Sequence, residues 1–221
     1  MTGQKCQVLK WYKSDGVAWF STDYPQLDAI IDFDMQLRFD EVKATQIACM
    51  FLRLRGGRMH YIKLIKLLYL LDREALGRWG VLVTTDHFAS MDHGPVVSNI
   101  FNLITDDKPT AVWGKYISAP LGDHEVELRK EPAPISTDRL SDAEENLVQE
   151  IFEQFGHRDR WDLIENHMHK LPEWKNPEGS SFPIHLRQIL VALGYSKDDI
   201  AAIHRELRTE AVAQQILSPA I

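Results

Sequence analysis

Residues 59–77, MHYIKLIKLLYLLDREALG, decide the fold. At 100° per residue, Ile62, Leu64, Ile65, Leu67, Leu68, Leu70 and Leu71 cover most of a helical circumference, the pattern of a helix buried on nearly every side. Lys63, Lys66 and Arg73 fall within about 80° of one another on the remaining side. The stretch therefore reads as the central helix of a core, with one narrow polar seam. Asp72 projects roughly opposite Lys63, among Ile65, Leu68 and Leu76. A carboxylate there needs a partner, because an unpaired buried charge costs several kcal/mol. The reading places that partner near the His93-Gly94 turn.

Working outward, residues 41–54 (EVKATQIACMFLRL) predict a helix, and Arg55-Gly56-Gly57-Arg58 ends it. Residues 81–91 have strand-like composition. Pro95 suits the first position of a helix carrying Val96, Ile100, Leu103 and Ile104. Residues 111–119 and 124–130 read as a hairpin around Pro120-Leu121-Gly122-Asp123. Ser141 with Glu144 forms a capping box that opens a helix closed by Gly156. Shorter helices follow over 161–169 and 184–193. Ser196 caps a last helix to about Leu207, with the tail after Thr209 a frayed turn or a partner-binding strip. The fold class is α+β, mainly α: a compact helical domain around a central apolar helix, with a small β hairpin or sheet. An aromatic, acidic extension (1–40) precedes the helical domain (41–208), and a tail (209–221) follows it.

Composition narrows the function. The chain has 221 residues, 44% hydrophobic and 26% charged, enough for a sizeable core. Its 25 Lys and Arg face 32 Asp and Glu, a net charge of −7. The excess is local: residues 1–110 carry 13 bases and 13 acids, residues 111–221 carry 12 and 19. Within the first half, Asp15–Val42 holds seven acids and one base, and Lys43–Lys66 six bases and no acid. A global affinity for nucleic acid is not expected, since phosphate binding needs net positive surface. The basic stretch is either a local patch or is neutralised by the acidic segment before it. The longest uncharged run, Gly94–Thr105, is too short for a membrane span. Met1–Lys10 has no apolar stretch of a secretory signal, and two cysteines (Cys6 and Cys49) are too few for a disulfide scaffold. A cytoplasmic location with reduced thiols is expected.

Sites of chemistry do not assemble in the sequence. His167 and His169 lie about 200° apart on a helix and cannot share a metal. No HExxH, nucleophile elbow or phosphate-binding loop is present. Neither enzyme activity nor a cofactor is expected. The helices around Gly56-Gly57 suggest a helix-turn-helix, and a DNA-binding regulator using residues 43–66 is the alternative function. The second helix, however, lacks the polar outer face a recognition helix needs. Taken singly, Gly94-Pro95 reads as a helix start, Trp174 as a hydrophobic plug and His167 as a hydrogen-bonded core residue.

Together, these landmarks resemble the Panacea domain, the SocA-like antitoxin family of bacterial and prophage genes. The carriers are Lys63-Leu64-Ile65-Lys66-Leu67-Leu68-Tyr69-Leu70-Leu71-Asp72-Arg73-Glu74, then Met91-Asp92-His93-Gly94-Pro95-Val96-Val97-Ser98. Weaker ones are Leu140-Ser141 with Glu144-Glu145, and His167 followed by Leu171-Pro172-Glu173-Trp174. The resemblance covers roughly residues 41–200. It implies a mainly helical fold without catalysis, and an antitoxin that binds a cognate toxin encoded by the adjacent gene, or in the SocA type delivers it to a protease. The family-motif positions it marks, as scaffold or partner-binding residues, are Lys63, Lys66, Tyr69, Asp72, His93, Gly94, Pro95, Val96, His167 and Trp174. Residues 1–40 fall outside it and are expected to help recognise the particular toxin. Deleting residues 1–35, with the fold checked by circular dichroism, should weaken or abolish neutralisation; unchanged protection refutes that role.

Overall fold

A computed structural model of the chain describes residues 13–14, 17–18, 37–106, 110–130 and 135–217. It divides into two units, Met1–Gln36 and Leu37–Ile221. In the first, β1 (Lys13–Ser14) pairs antiparallel with β2 (Val17–Ala18). Most of the acidic stretch 15–42, and its relation to the basic stretch, lies outside the described residues.

The second unit is built on its helices. Asp40 caps α1 (Glu41–Leu54) by accepting from the Lys43 N–H, and Ala44–Leu52 are buried. The helix stops where Gly56 and Gly57 take φ of +92° and +95°, a region open to glycine at little cost. A three-residue strand, β3 (Arg58–His60), then separates α1 from α2 (Tyr61–Trp79). The His60 ring accepts from the Ile62 N–H at the start of α2, and left-handed Gly80 closes it. Ten consecutive residues, Lys63–Asp72, are buried, as the apolar circumference predicts.

Two short elements differ from expectation. Gly94–Val97 is not the start of a helix but strand β5, paired antiparallel with β4 (Phe88–Met91). β7 (Phe182–Ile184) adds to the other side of β4, giving the order β5-β4-β7. Consecutive β-branched Val96 and Val97 favour this pleated setting, and Pro95 is tolerated because β5 is an edge strand lying against α2. Helix α3 (Ser98–Thr105) begins only afterwards. No side chain at its own start caps it. Buried Asp86 does so from a distance, accepting from the Asn99 and Ile100 N–H groups at 2.8 and 3.0 Å.

The predicted hairpin over 111–130 is half present. Residues 113–116 form a helical turn, α4 (Trp113–Tyr116), and β6 (Glu125–Glu127) pairs with β3. Ile117 meets Leu128 in a single bridge, so only the end of the first arm is extended. Trp113, fully buried against α1, holds the helical turn in place.

The Ser141–Glu144 capping box opens α5 (Asp142–Ile151), which packs on both α1 and α2. A π-helical turn, Phe152–Gly156, continues it, and a Cβ on Gly156 would collide with the Phe152 ring. Next come α6 (Arg160–Asn166), a 3₁₀ turn (Met168–Lys170), α7 (Leu186–Ala192) and α8 (Lys197–Leu217). The last helix runs ten residues beyond Leu207, into the predicted tail as far as Leu217, with Leu207 and Ala211 buried on its inner face. The observed class is α+β, mainly α, with small antiparallel sheets.

Asp72 is fully buried, as its position on α2 requires, but its partner is not the His93-Gly94 turn. It accepts from the N–H groups of Val83 and Thr84 at 2.8 and 2.9 Å and from the Thr84 hydroxyl. These residues follow α2 directly, so the carboxylate ties the loop after the helix back onto it. Burial pushes the carboxyl up to about 6, against the bonds from Thr84 and Val83 that favour its charged form. Asp72→Ala strands two buried N–H groups and should lower stability by about 2–4 kcal/mol in a denaturant titration, whereas Asp72→Asn keeps acceptor oxygens and should lose less. An unchanged melting temperature for the alanine variant refutes the assignment.

Candidate functional site

The polar seam of α2 does not face water. Lys63 is 5% exposed, Lys66 1% and Tyr69 0%. Each reaches a segment far along the chain. Lys63 donates to the Gly156 carbonyl at 2.6 Å and to the Arg158 carbonyl, at the end of the π-helical turn. Lys66 donates to the carbonyls of Gly94 and Pro95 at 2.9 and 2.7 Å. The Tyr69 hydroxyl and Arg73 Nε both donate to Glu173 Oε1, at 2.8 and 2.6 Å. One helix face thus grips three separate loops.

The glycines at these contacts have structural reasons. Gly94 has φ of +90°, and a Cβ there would meet Met168 Cβ at 2.7 Å, with Lys66 Nζ behind it at 3.6 Å. Only a residue without a side chain lets the β4–β5 turn pass this close to Met168 of the 3₁₀ turn while holding a left-handed φ. Val96 is buried beside it, opposite Ala89.

Burial lowers the Lys66 ammonium to about 7. The neutral amine keeps two N–H groups, which match the two carbonyls. Lys63 is lowered to about 8, by burial first and then by the Arg55 charge. Tyr69 is held well above its ordinary range by burial and the adjacent Glu173.

The remaining motif residues lie where these loops surface. His93, exposed in the β4–β5 turn, meets the Trp161 ring edge-on at 5.3 Å. Trp174 is half-buried rather than a plug: its Nε1 donates to the Met91 carbonyl and its ring stacks on His169 at 4.1 Å. His167 stands apart from this group, edge-on to Phe155 at 5.2 Å, its ring nitrogen lowered by burial and by Arg158. The structure therefore joins Lys66, Gly94 and Pro95 directly, joins Tyr69 to the Trp174 loop through Glu173, and leaves Asp72 on a different face.

Glu173 is the functional-site residue that the motif reading passes over, although it stands within the quoted Leu171–Trp174. The available signal was Arg73 beside Tyr69 on an otherwise apolar helix, a cation with no acid three or four residues away. Its counter-charge had to come from elsewhere. Asp86 was passed over too, since its partners are backbone N–H groups that no pattern marks, and His169 was weighed only as a metal ligand.

Five of the six bases in the stretch 43–66 have partners within the chain, although Arg53, Arg55 and Arg58 are exposed. Lys43 pairs with Glu144, Arg53 donates to the Ile135 carbonyl, Arg58 pairs with Asp123 and Glu125, and Lys63 and Lys66 are buried. With α2 enclosed from Lys63 to Asp72, it cannot enter a major groove as a recognition helix. Among the described residues, no three His, Cys, Asp or Glu side chains converge to hold a metal ion, and no helix is long and apolar enough to cross a membrane.

The depressed Lys66 predicts a pH dependence. Between pH 7 and about 10.4 the unfolded chain holds a proton that the folded chain has released, so the unfolding free energy should rise with pH. Lys63 acts in the same direction. Denaturant titrations at pH 7 and 9.5 should show a smaller rise for Lys66→Met than for the wild type; equal rises refute the depressed lysine.

A family model described as antitoxin SocA-like, Panacea domain, matches residues 64–175. Neither the curated proteins nor the solved structures offer a match to the chain. The matched interval opens inside α2, one residue after Lys63, and closes one residue after Trp174, so it holds Lys66, Tyr69, Glu173 and the loops they bind. By that match over half its length, the chain belongs to the SocA-like antitoxin family of Panacea-domain proteins.

Proposed function

We propose that this protein is a cytoplasmic, non-enzymatic antitoxin that neutralises a cognate toxin, encoded by the adjacent gene, by direct protein–protein binding. The observation that carries the reading is the family match across the seam and its three bound loops. The seam supports it chemically: Lys63, Lys66, Tyr69, Arg73 and Glu173 bond to one another or to backbone carbonyls, so they order a surface rather than act on a substrate. Electrostatics favours a basic partner, because residues 111–221 carry a net −7 and such a field steers a cationic protein toward its site.

The test is co-expression. The adjacent gene induced alone in a bacterial host should suppress colony formation, and induction together with this protein should restore it, with the two proteins co-purifying. Rescue that disappears in a host lacking its cytoplasmic proteases would instead assign delivery to a protease. Toxicity that this protein does not relieve would refute the pairing.

A further inference from the structure

The start of α2 is closed by a group that can lose its grip. Helices are ordinarily capped by Ser, Thr, Asp or Asn, whose oxygens accept hydrogen bonds throughout the neutral range. Here the acceptor is an imidazole nitrogen: half-buried His60 takes the Ile62 N–H on Nδ1 at 3.3 Å. A ring nitrogen accepts only while it carries no proton, so this cap exists only when Nδ1 is bare.

The surroundings oppose a charged ring. The His60 ring stacks on Tyr61 at 5.5 Å and lies 5.9 Å from the ring of His124, just before β6. Arg160, the first residue of α6, adds a fixed positive charge, and its Nε has no hydrogen-bond partner among the described residues. The acids nearby are engaged elsewhere. Asp123 and Glu125 are held by Arg58, and Asp159 accepts from the Trp161 and Asp162 N–H groups. Burial first, then the charges of Arg160 and His124, lower the His60 ring from its ordinary value, against Glu125 and Asp123. The helix acts in the same direction, since an imidazolium would sit at its positive end.

Position gives this ring a reach beyond its own bond. Ile62 and Lys63 lie in the first turn of α2, and Lys63 donates to the Gly156 and Arg158 carbonyls that lead into α6. The Tyr61 N–H donates to the His124 carbonyl. The same few residues therefore join β3, the start of β6, α2 and the entry to α6.

We infer that His60 is an acid-sensitive catch: neutral, it closes the first turn of α2 and lets α6 lie against it; protonated, it drops the Ile62 N–H, repels Arg160 and loosens both. The catch belongs to the fold and does not depend on what the protein binds. As pH falls through about 6.5, the unfolded chain takes up a proton that the folded ring resists, so His60 makes stability fall on acidification.

Proton–nitrogen NMR of the full chain tests it. The Ile62 amide resonance should titrate together with the His60 ring, at a midpoint below about 6.5. Arg160→Gln should raise that midpoint by about half a pH unit. His60→Asn, which keeps an acceptor at every pH, should abolish the Ile62 titration. In denaturant titrations it should also lose less stability than the wild type between about pH 7.5 and 5. Equal losses in the two proteins overturn the catch, as does an Ile62 amide that ignores the His60 titration or a midpoint at or above about 6.5. A midpoint unmoved in Arg160→Gln overturns its link to α6.

Discussion

The fold depends on buried lysine amino groups that bond to backbone carbonyls. Lys63 and Lys66 sit on a helix with almost no polar surface, and taking an ammonium out of water is costly unless its hydrogens find acceptors. The acceptors come from the ends of other elements: the carbonyls of Gly94 and Pro95 at the start of the edge strand β5, and those of Gly156 and Arg158 where the π-helical turn ends. Each side satisfies the other. Lysines that would be ruinous in an apolar core become the fasteners of loops whose carbonyls would otherwise be stranded.

This arrangement separates scaffold from surface. Lys63, Lys66, Tyr69 and Gly94 face inward, and so set where the β4–β5 turn, the entry to α6 and the Leu171–Trp174 segment can lie. The family match spans the same interval, from the seam to the last of those segments. A scaffold of this kind can display different exposed side chains without loss of stability, because the bonds that order the loops involve backbone carbonyls and one buried carboxylate rather than the displayed side chains themselves.

The departures from expectation share a cause. Pro95 suits both a helix start and an edge strand, and local sequence does not say whether a partner strand is near; β4 and the flank of α2 decided it. Residues 113–116 sit in a stretch of extended character, yet Trp113 inserts beside α1 and winds them into a helical turn. Asp72 was legible as a buried carboxylate in need of donors, but the donors, Val83 and Thr84, are main-chain groups that leave no mark in a sequence. Glu173 looked like any surface acid after a proline until Tyr69 and Arg73, a hundred residues earlier, closed on it.

By itself the sequence determined the periodic features: the enclosed helix α2, the glycine stop after α1, the Ser141 capping box, the predominance of helix and the family motif. These follow from interactions within a few residues, where helical spacing or a cap is written directly in residue order. The tertiary structure decided what the polar seam is for. Seen along one helix the seam looks like a solvated edge, and only when Gly94 and Gly156 are brought against its lysines and Glu173 against Tyr69 and Arg73 does it become an internal clamp. The acceptors of the lysines are backbone carbonyls, and a carbonyl is the same in every residue, so nothing short of the folded chain could identify which ones they would find.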